Sequence, residues 1–292
     1  MDPAQQWHLI NDPTLSEVIP IMPNKEITVN LIAKTAIEPL ALRDWLSNLG
    51  VSAFTIDKIL SWNNTSGEIL TACAAKQCYM SFEAGMNPNV TKTRNEMVAY
   101  LENVMNQGHG SVLEHVSFTF AIDNVTRVFT GEMNRHRVGT AISERSMRYI
   151  RFNEEMNWWM PLCFRSDETD DLDITARKAT SRRIFEQAFI QMQDNYKLLC
   201  DAWTMDESHH NFHYKKTMTS AFRRIIGMGV CTGGIWTINV RALRHILTMR
   251  CSKAAEEEIQ LVAHMILEIM RKQEPVLFED FNNAGTPLYN KI

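Results

Sequence analysis

The chain has 292 residues, 45% of them hydrophobic and 22% charged, proportions that exclude a disordered, collagen-like or disulfide-stapled chain and leave material for a sizeable core. Its 34 acidic residues exceed its 30 basic ones, for a formal charge of -4. That balance argues against nucleic acid or a membrane surface as the main partner and confines any anion site to a local cluster. The N-terminus has no hydrophobic signal region, no apolar run is long enough to cross a membrane, and the six cysteines form no Cys-x-x-Cys pair, so a cytoplasmic protein with free thiols is expected.

Pro3, Pro13, Pro20 and Pro23 predict an irregular N-terminal arm. Alternation from Glu26 to Ala33 predicts a strand, and Ala41 to Trp62 reads as one weakly amphipathic helical stretch closed by the turn signal NNTSG. Residues 1–66 thus form an arm and extra segment around an opening strand, and the main domain is expected over 67–292. Within it, helical spacing marks Glu68 to Met80 and Thr93 to Asn106, and Val116 to Ile122 predicts a strand with Phe118 and Phe120 on one face. Helices are expected at Val125 to Arg137, Asp173 to Ala202 and Glu256 to Lys272. Gly227, Gly229, Gly233 and Gly234 predict broken or closely packed helices across Met218 to Leu247. Helices outnumber strands, giving an α+β class.

Between residues 135 and 151 the run RHRVGTAISERSMRYIR gathers five arginines and a histidine in a chain that is acidic overall. Guanidinium forks beside Ser143, Ser146 and backbone N–H groups suit phosphate oxygens, so a phosphorylated small molecule is one reading. The other is a solvated basic face paired with Glu132 and Glu144. His209 and His213 stand one helical turn apart, as zinc ligands can, but no Glu or Cys completes the set; a polar helix entrance is the simpler reading, and no metal site is expected. Ser146 lacks a partner base at a usable spacing, so it reads as a hydrogen-bonding group.

The order Arg135-His136-Arg137, eight residues, then Ser146-x-Arg148-Tyr149 resembles the signature of flavin-dependent thymidylate synthases, whose two halves stand seven residues apart, and Glu144 holds the family's position two before the serine. Three further blocks follow in family order: AAKQCYMSF (74–82), GHGSVLEHVSFTF (108–120), and Arg224 followed by WTINVRALRHILTMR (236–250). The resemblance spans about residues 67–282. It implies a helix-rich α+β fold with a small antiparallel sheet, assembled as a homotetramer that binds FAD at subunit interfaces. It also implies conversion of dUMP to dTMP with methylenetetrahydrofolate and NADPH.

Residue by residue, the resemblance places Arg135, His136, Arg137, Glu144, Asn239, Arg241 and His245 on FAD, with Ser111 reaching it from a neighbouring subunit and His109 lining the same site. Glu132, Arg135, Glu144, Arg145, Ser146, Met147, Arg148 and Arg224 would bind the nucleotide, and Arg250 would polarise its pyrimidine as the catalytic residue. Helical spacing puts Arg241, Arg244 and His245 on one face, suited to a pyrophosphate or, alternatively, to a cationic C-terminal turn. The same spacing turns Arg250 about 180° from Arg241. Three features depart from the family: the extra residue before Ser146, Ala254 where many members have histidine, and Glu132 where the family has a glutamine. An ionised Glu only accepts hydrogen bonds. A paralogue that methylates or hydroxymethylates UMP or dCMP is therefore an alternative, and a non-enzymatic nucleic-acid binder a third reading that the acidic charge disfavours.

Overall fold

A computed structural model describes residues 26–61, 63–94, 96–152 and 156–289; the expected proline-rich arm lies outside them. Strands β1 (Thr28–Lys34), β2 (Ser117–Thr126), β3 (Thr140–Glu144) and β4 (Cys231–Asn239) form one antiparallel sheet in the order β1-β2-β4-β3. Alternation in β2 and β4 turns Phe118, Phe120, Ile122, Trp236 and Ile238 to one face, where each is fully buried. The opposite face carries Thr119 and Thr237, whose hydroxyls bond at 2.9 Å, and the exposed Ile32 and Ile235.

Helices α1 (Pro39–Asn48), α2 (Ala53–Leu60), α3 (Ser66–Tyr79) and α4 (Met97–Asn106) share the main core with the buried sheet face. So do α5 (Arg127–Met133), α8 (Val240–Arg250), α9 (Glu257–Gln273) and α10 (Pro275–Phe278). The long α6 (Leu172–Ala202) and α7 (Phe212–Phe222) build a second, smaller core around Tyr196, Cys200, Phe222 and Val230. The helix-rich α+β expectation with a small antiparallel sheet holds. Among the described residues no helix is long and apolar enough to cross a membrane.

Two expectations are corrected. The stretch read as one helix from Ala41 is two, because Gly50 turns the chain with φ +84° and Ser52 caps α2 by accepting from the Thr55 amide. Within the stretch Met218 to Leu247 read as broken helices, α7 ends at Phe222 and α8 begins at Val240, but Cys231–Asn239, with Gly233 and Gly234, is the interior strand β4. A Cβ at Gly234 would stand 2.5 Å from the Ser143 carbonyl oxygen, so the glycine allows close backbone pairing with β3 rather than interrupting a helix.

Two buried carboxyls stabilise this arrangement. Glu258 of α9 accepts from the Thr126 amide at 2.6 Å and from its hydroxyl, tying α9 to the junction of β2 and α5. Glu274 bonds the Thr65 hydroxyl at the start of α3. Burial pushes both carboxyls up to about 7. Each holds its proton more tightly folded than unfolded, so its contribution is complete below about pH 4.5 and is lost as pH rises toward 7. Stability to urea should fall across that window by up to ~3 kcal/mol per group. Glu258→Gln keeps the shape and the bond from the Thr126 amide but cannot titrate, and should flatten the pH dependence; an equal slope in parent and variant would remove Glu258 from this account.

Candidate functional site

The β4–α8 junction sets the centre of the site. Asn239 ends the strand and caps α8, its side-chain oxygen accepting from the Ala242 amide at 2.8 Å, while its own amide donates to the Gly139 carbonyl at 3.0 Å. That second bond draws the loop between α5 and β3 over the helix entrance. Gly139 makes the approach feasible, since its φ is +70° and a Cβ would fall 2.5 Å from the Asn239 side-chain nitrogen. The result is a cavity of about 580 Å³ lined by Arg135, His136, Arg137, Val138 and Gly139 from the loop, and by Asn239, Arg241, Ala242, His245 and Ile246 from the junction and α8. Glu114 closes one edge and pairs with Arg241 at 2.6 Å.

Three arginines converge on this cavity, and neither Arg135 nor Arg137 has a carboxylate ion pair among the described residues. The N-terminus of α8 opens on the same space, where its dipole favours an anion. Arg241 thus sits in the first turn of α8, which removes the C-terminal-turn reading. Arg244 is corrected as well. It is 2% exposed, binds Asp280 through two 2.7 Å bonds, and stacks over Phe281, so it belongs to the core rather than to a face shared with Arg241.

Arg250 ends α8 and points away from Arg241, as the helical spacing requires, yet it reaches the same cavity through His136. Its Nε donates to His136 Nε2 at 2.9 Å, and its Nη1 pairs with Glu132 on α5. His136 and His245 face each other with ring centroids 6.3 Å apart. Burial, then the charge of Arg250, lowers the His136 pKa, so its ring is neutral and Nε2 is an acceptor.

The remaining expected residues lie elsewhere. Glu144 bonds Arg127 and Asn134, two turns apart at opposite ends of α5, and Asn134 also accepts from the Trp236 indole at 3.2 Å. Glu144 therefore fixes α5 rather than lining the cavity. The basic-face reading paired Glu132 and Glu144 with the arginine run; in the structure their ion-pair partners are Arg250 and Arg127, both outside it. Arg145 pairs with Asp123, Ser146 accepts from the Arg148 amide, Met147 packs on the second core, and Arg148 and Arg224 are exposed. His109 and Ser111 line a different cavity from the one that holds Arg135 and Arg241. Sequence reading missed Arg127, Asn134 and Glu114. Of these, only Glu114 carried a signal, standing in the 108–120 block. Glu207, His209 and His210 bring ligand atoms within 4.8 Å of one another on the surface, a set that includes a glutamate but not His213.

Over residues 59–276 the chain matches the family described as thymidylate synthase complementing protein. It is 29% identical over 259 residues to a flavin-dependent thymidylate synthase of Corynebacterium aurimucosum, covering 88% of this chain and 92% of that one. Two solved structures share the fold. Thymidylate synthase X of Helicobacter pylori, with FAD and dUMP, has a TM-score of 0.53 and 18% identity over 87% of this chain and 98% of that chain. A UMP/dUMP methylase, PolB of Streptomyces cacaoi, bound with 5-Br UMP, has a TM-score of 0.56 and 19% identity over 90% and 97%.

The His136 geometry has a direct spectroscopic consequence. Nitrogen NMR should find the ring neutral at pH 7, protonated on Nδ1 alone, and titrating below the ordinary 6.5. Arg250→Gln should raise that pKa by removing a neighbouring positive charge. An imidazolium at pH 7 would contradict the described hydrogen bond.

Proposed function

Because the chain belongs to the thymidylate synthase complementing protein family, we propose that it is a flavin-dependent methyltransferase acting at C5 of a pyrimidine nucleotide. The favoured reaction converts dUMP to dTMP, with methylenetetrahydrofolate as carbon donor and NADPH as reductant. The observation that supports this most is the convergence of Arg135, Arg137 and Arg241 with the α8 N-terminus on one cavity. That donor set fits the pyrophosphate of FAD, whose charge it would neutralise, while His136, Asn239 and His245 offer hydrogen bonds to the rest of the cofactor. Bound FAD supplies two-electron redox chemistry, which relieves the protein of a cysteine nucleophile. We assign Ser111 and His109 to the flavin of a neighbouring subunit, in a homotetramer whose shared sites would explain their separate cavity.

The role of this chain's residues is mainly electrostatic. Carbon transfer to C5 needs electron density there, and a fixed guanidinium beside the ring carbonyls stabilises the ionised pyrimidine. Arg250 is that group, and neutral His136 holds it without adding a competing charge. Arg145, Ser146, Met147, Arg148 and Arg224 would hold the nucleotide and its phosphate. Glu144 would serve both ligands by fixing α5, the helix that carries Glu132.

One observation favours a second reading. Glu132 presents an acceptor beside the donor Arg250. An ionised carboxylate there only accepts hydrogen bonds, so it suits the exocyclic amine of dCMP, or a ribose hydroxyl of UMP, better than it suits a carbonyl.

Purified protein should be yellow and release FAD on denaturation, and Arg250→Ala should keep the flavin while losing at least ~100-fold in turnover. A colourless protein that also ignores added FAD would defeat the cofactor assignment. Tritium release from C5-labelled dUMP, UMP and dCMP ranks the substrates. Glu132→Gln should shift preference toward dUMP if the glutamate reads the base; an unchanged ranking would exclude that role.

A further inference from the structure

A second cavity, of about 460 Å³, lies between α3, α4 and the loop that joins them. It shares no lining residue with the Arg135–Arg241 cavity. Lys76, Lys92 and Arg94 line it, and no aspartate or glutamate does. This is a cluster of three positive charges in a protein whose formal charge is -4.

Lys76 is the informative member. It stands on the inner face of α3 and is 4% exposed. Among the described residues its ammonium meets the carbonyls of Ser81 and Arg94, both at a long 3.4 Å, and the face of Tyr100 at 4.3 Å. Among the described residues no carboxylate lies within 4.0 Å of Lys76, Lys92 or Arg94. Burying an ammonium without a counter-charge is costly, and an anionic ligand would supply the missing charge. Burial also lowers the Lys76 pKa, and an incoming anion would restore it. Tyr100, raised to about 12, keeps its phenolic proton and can donate to that anion. At the cavity's rim the exposed Tyr79 offers ring surface to a flat ligand.

We propose that this cavity binds the anionic part of a heteroaromatic co-substrate, its phosphate or carboxylate groups held by Lys76, Lys92 and Arg94. The volume matches that class, being within the range of small-molecule sites and larger than a lone anion needs. Naming the ligand a co-substrate rests on the flavin-enzyme reading; the anion site itself does not.

The test is equilibrium titration of the flavin-loaded protein at low ionic strength with inorganic phosphate, NADPH, NADH, and tetrahydrofolate carrying one or several glutamates. Lys92→Ser/Arg94→Ser alters two exposed side chains and should fold normally. It should weaken the occupant by about tenfold or more, while parent affinity falls as salt rises and flavin content stays constant. Loss confined to NADPH, with NADH unaffected, identifies a phosphate as the anchored group; loss that grows with glutamate number identifies carboxylates. Lys76→Met should weaken the same ligand. Affinities unchanged for every probe, or flavin lost in step with them, would overturn the proposal, the second result assigning these cations to the flavin itself.

Discussion

The pairing of β4 between β2 and β3 is the constraint on which the candidate site depends. Gly234 lets β3 lie close against β4, and the end of β4 becomes the cap of α8. One residue, Asn239, therefore ends a ladder, opens a helix and holds the Gly139 carbonyl. The loop carrying Arg135, His136 and Arg137 has little freedom once those bonds form. Cations that would repel one another in a flexible segment are held apart by backbone geometry, at the end of a helix whose dipole favours an anion rather than another cation. An arrangement of that kind stores electrostatic cost in the free protein and recovers it when an anion binds.

α5 transmits this order to the residues expected to act on the pyrimidine. Its N-terminus is fixed by Thr126 and Glu258, its length is spanned by Glu144 through Arg127 and Asn134, and near its C-terminus Glu132 meets Arg250. Arg250 is thus positioned from two elements at once, as the end of α8 and as the partner of α5. The neutral His136 between Arg250 and the cavity gives the two halves of the site a shared member. Glu144 and Glu258 both hold α5 in place.

Much of the site was legible in the order of residues. Arg135, His136, Arg137, Asn239, Arg241 and His245 were named from one motif and one downstream block, and the fold brings all six around a single cavity. The ion-pair partner of Glu144 and the placement of Arg244 were less accurately read, for different reasons. A carboxylate inside an arginine-rich motif looks like a partner of its neighbours, but its partner is Arg127, from a helix that precedes the motif. Arg244 has the right helical spacing and the wrong side of the helix, a distinction made by Asp280, far along the chain.

The sequence by itself determined composition class, most helices, the β2 strand and the identity of the cationic residues, because these follow from local periodicity and residue chemistry. Only the tertiary structure decided that Gly233 and Gly234 belong to an interior strand, that Thr140–Glu144 pairs with it, and that Lys76 is a buried cation with no counter-charge among the described residues. Glycine reads alike as a helix breaker and as a close-packing strand residue until a neighbouring backbone is in place. A lysine in a helix reads as solvated until other elements cover it. In each case the deciding contact comes from residues distant in sequence, which no local pattern contains.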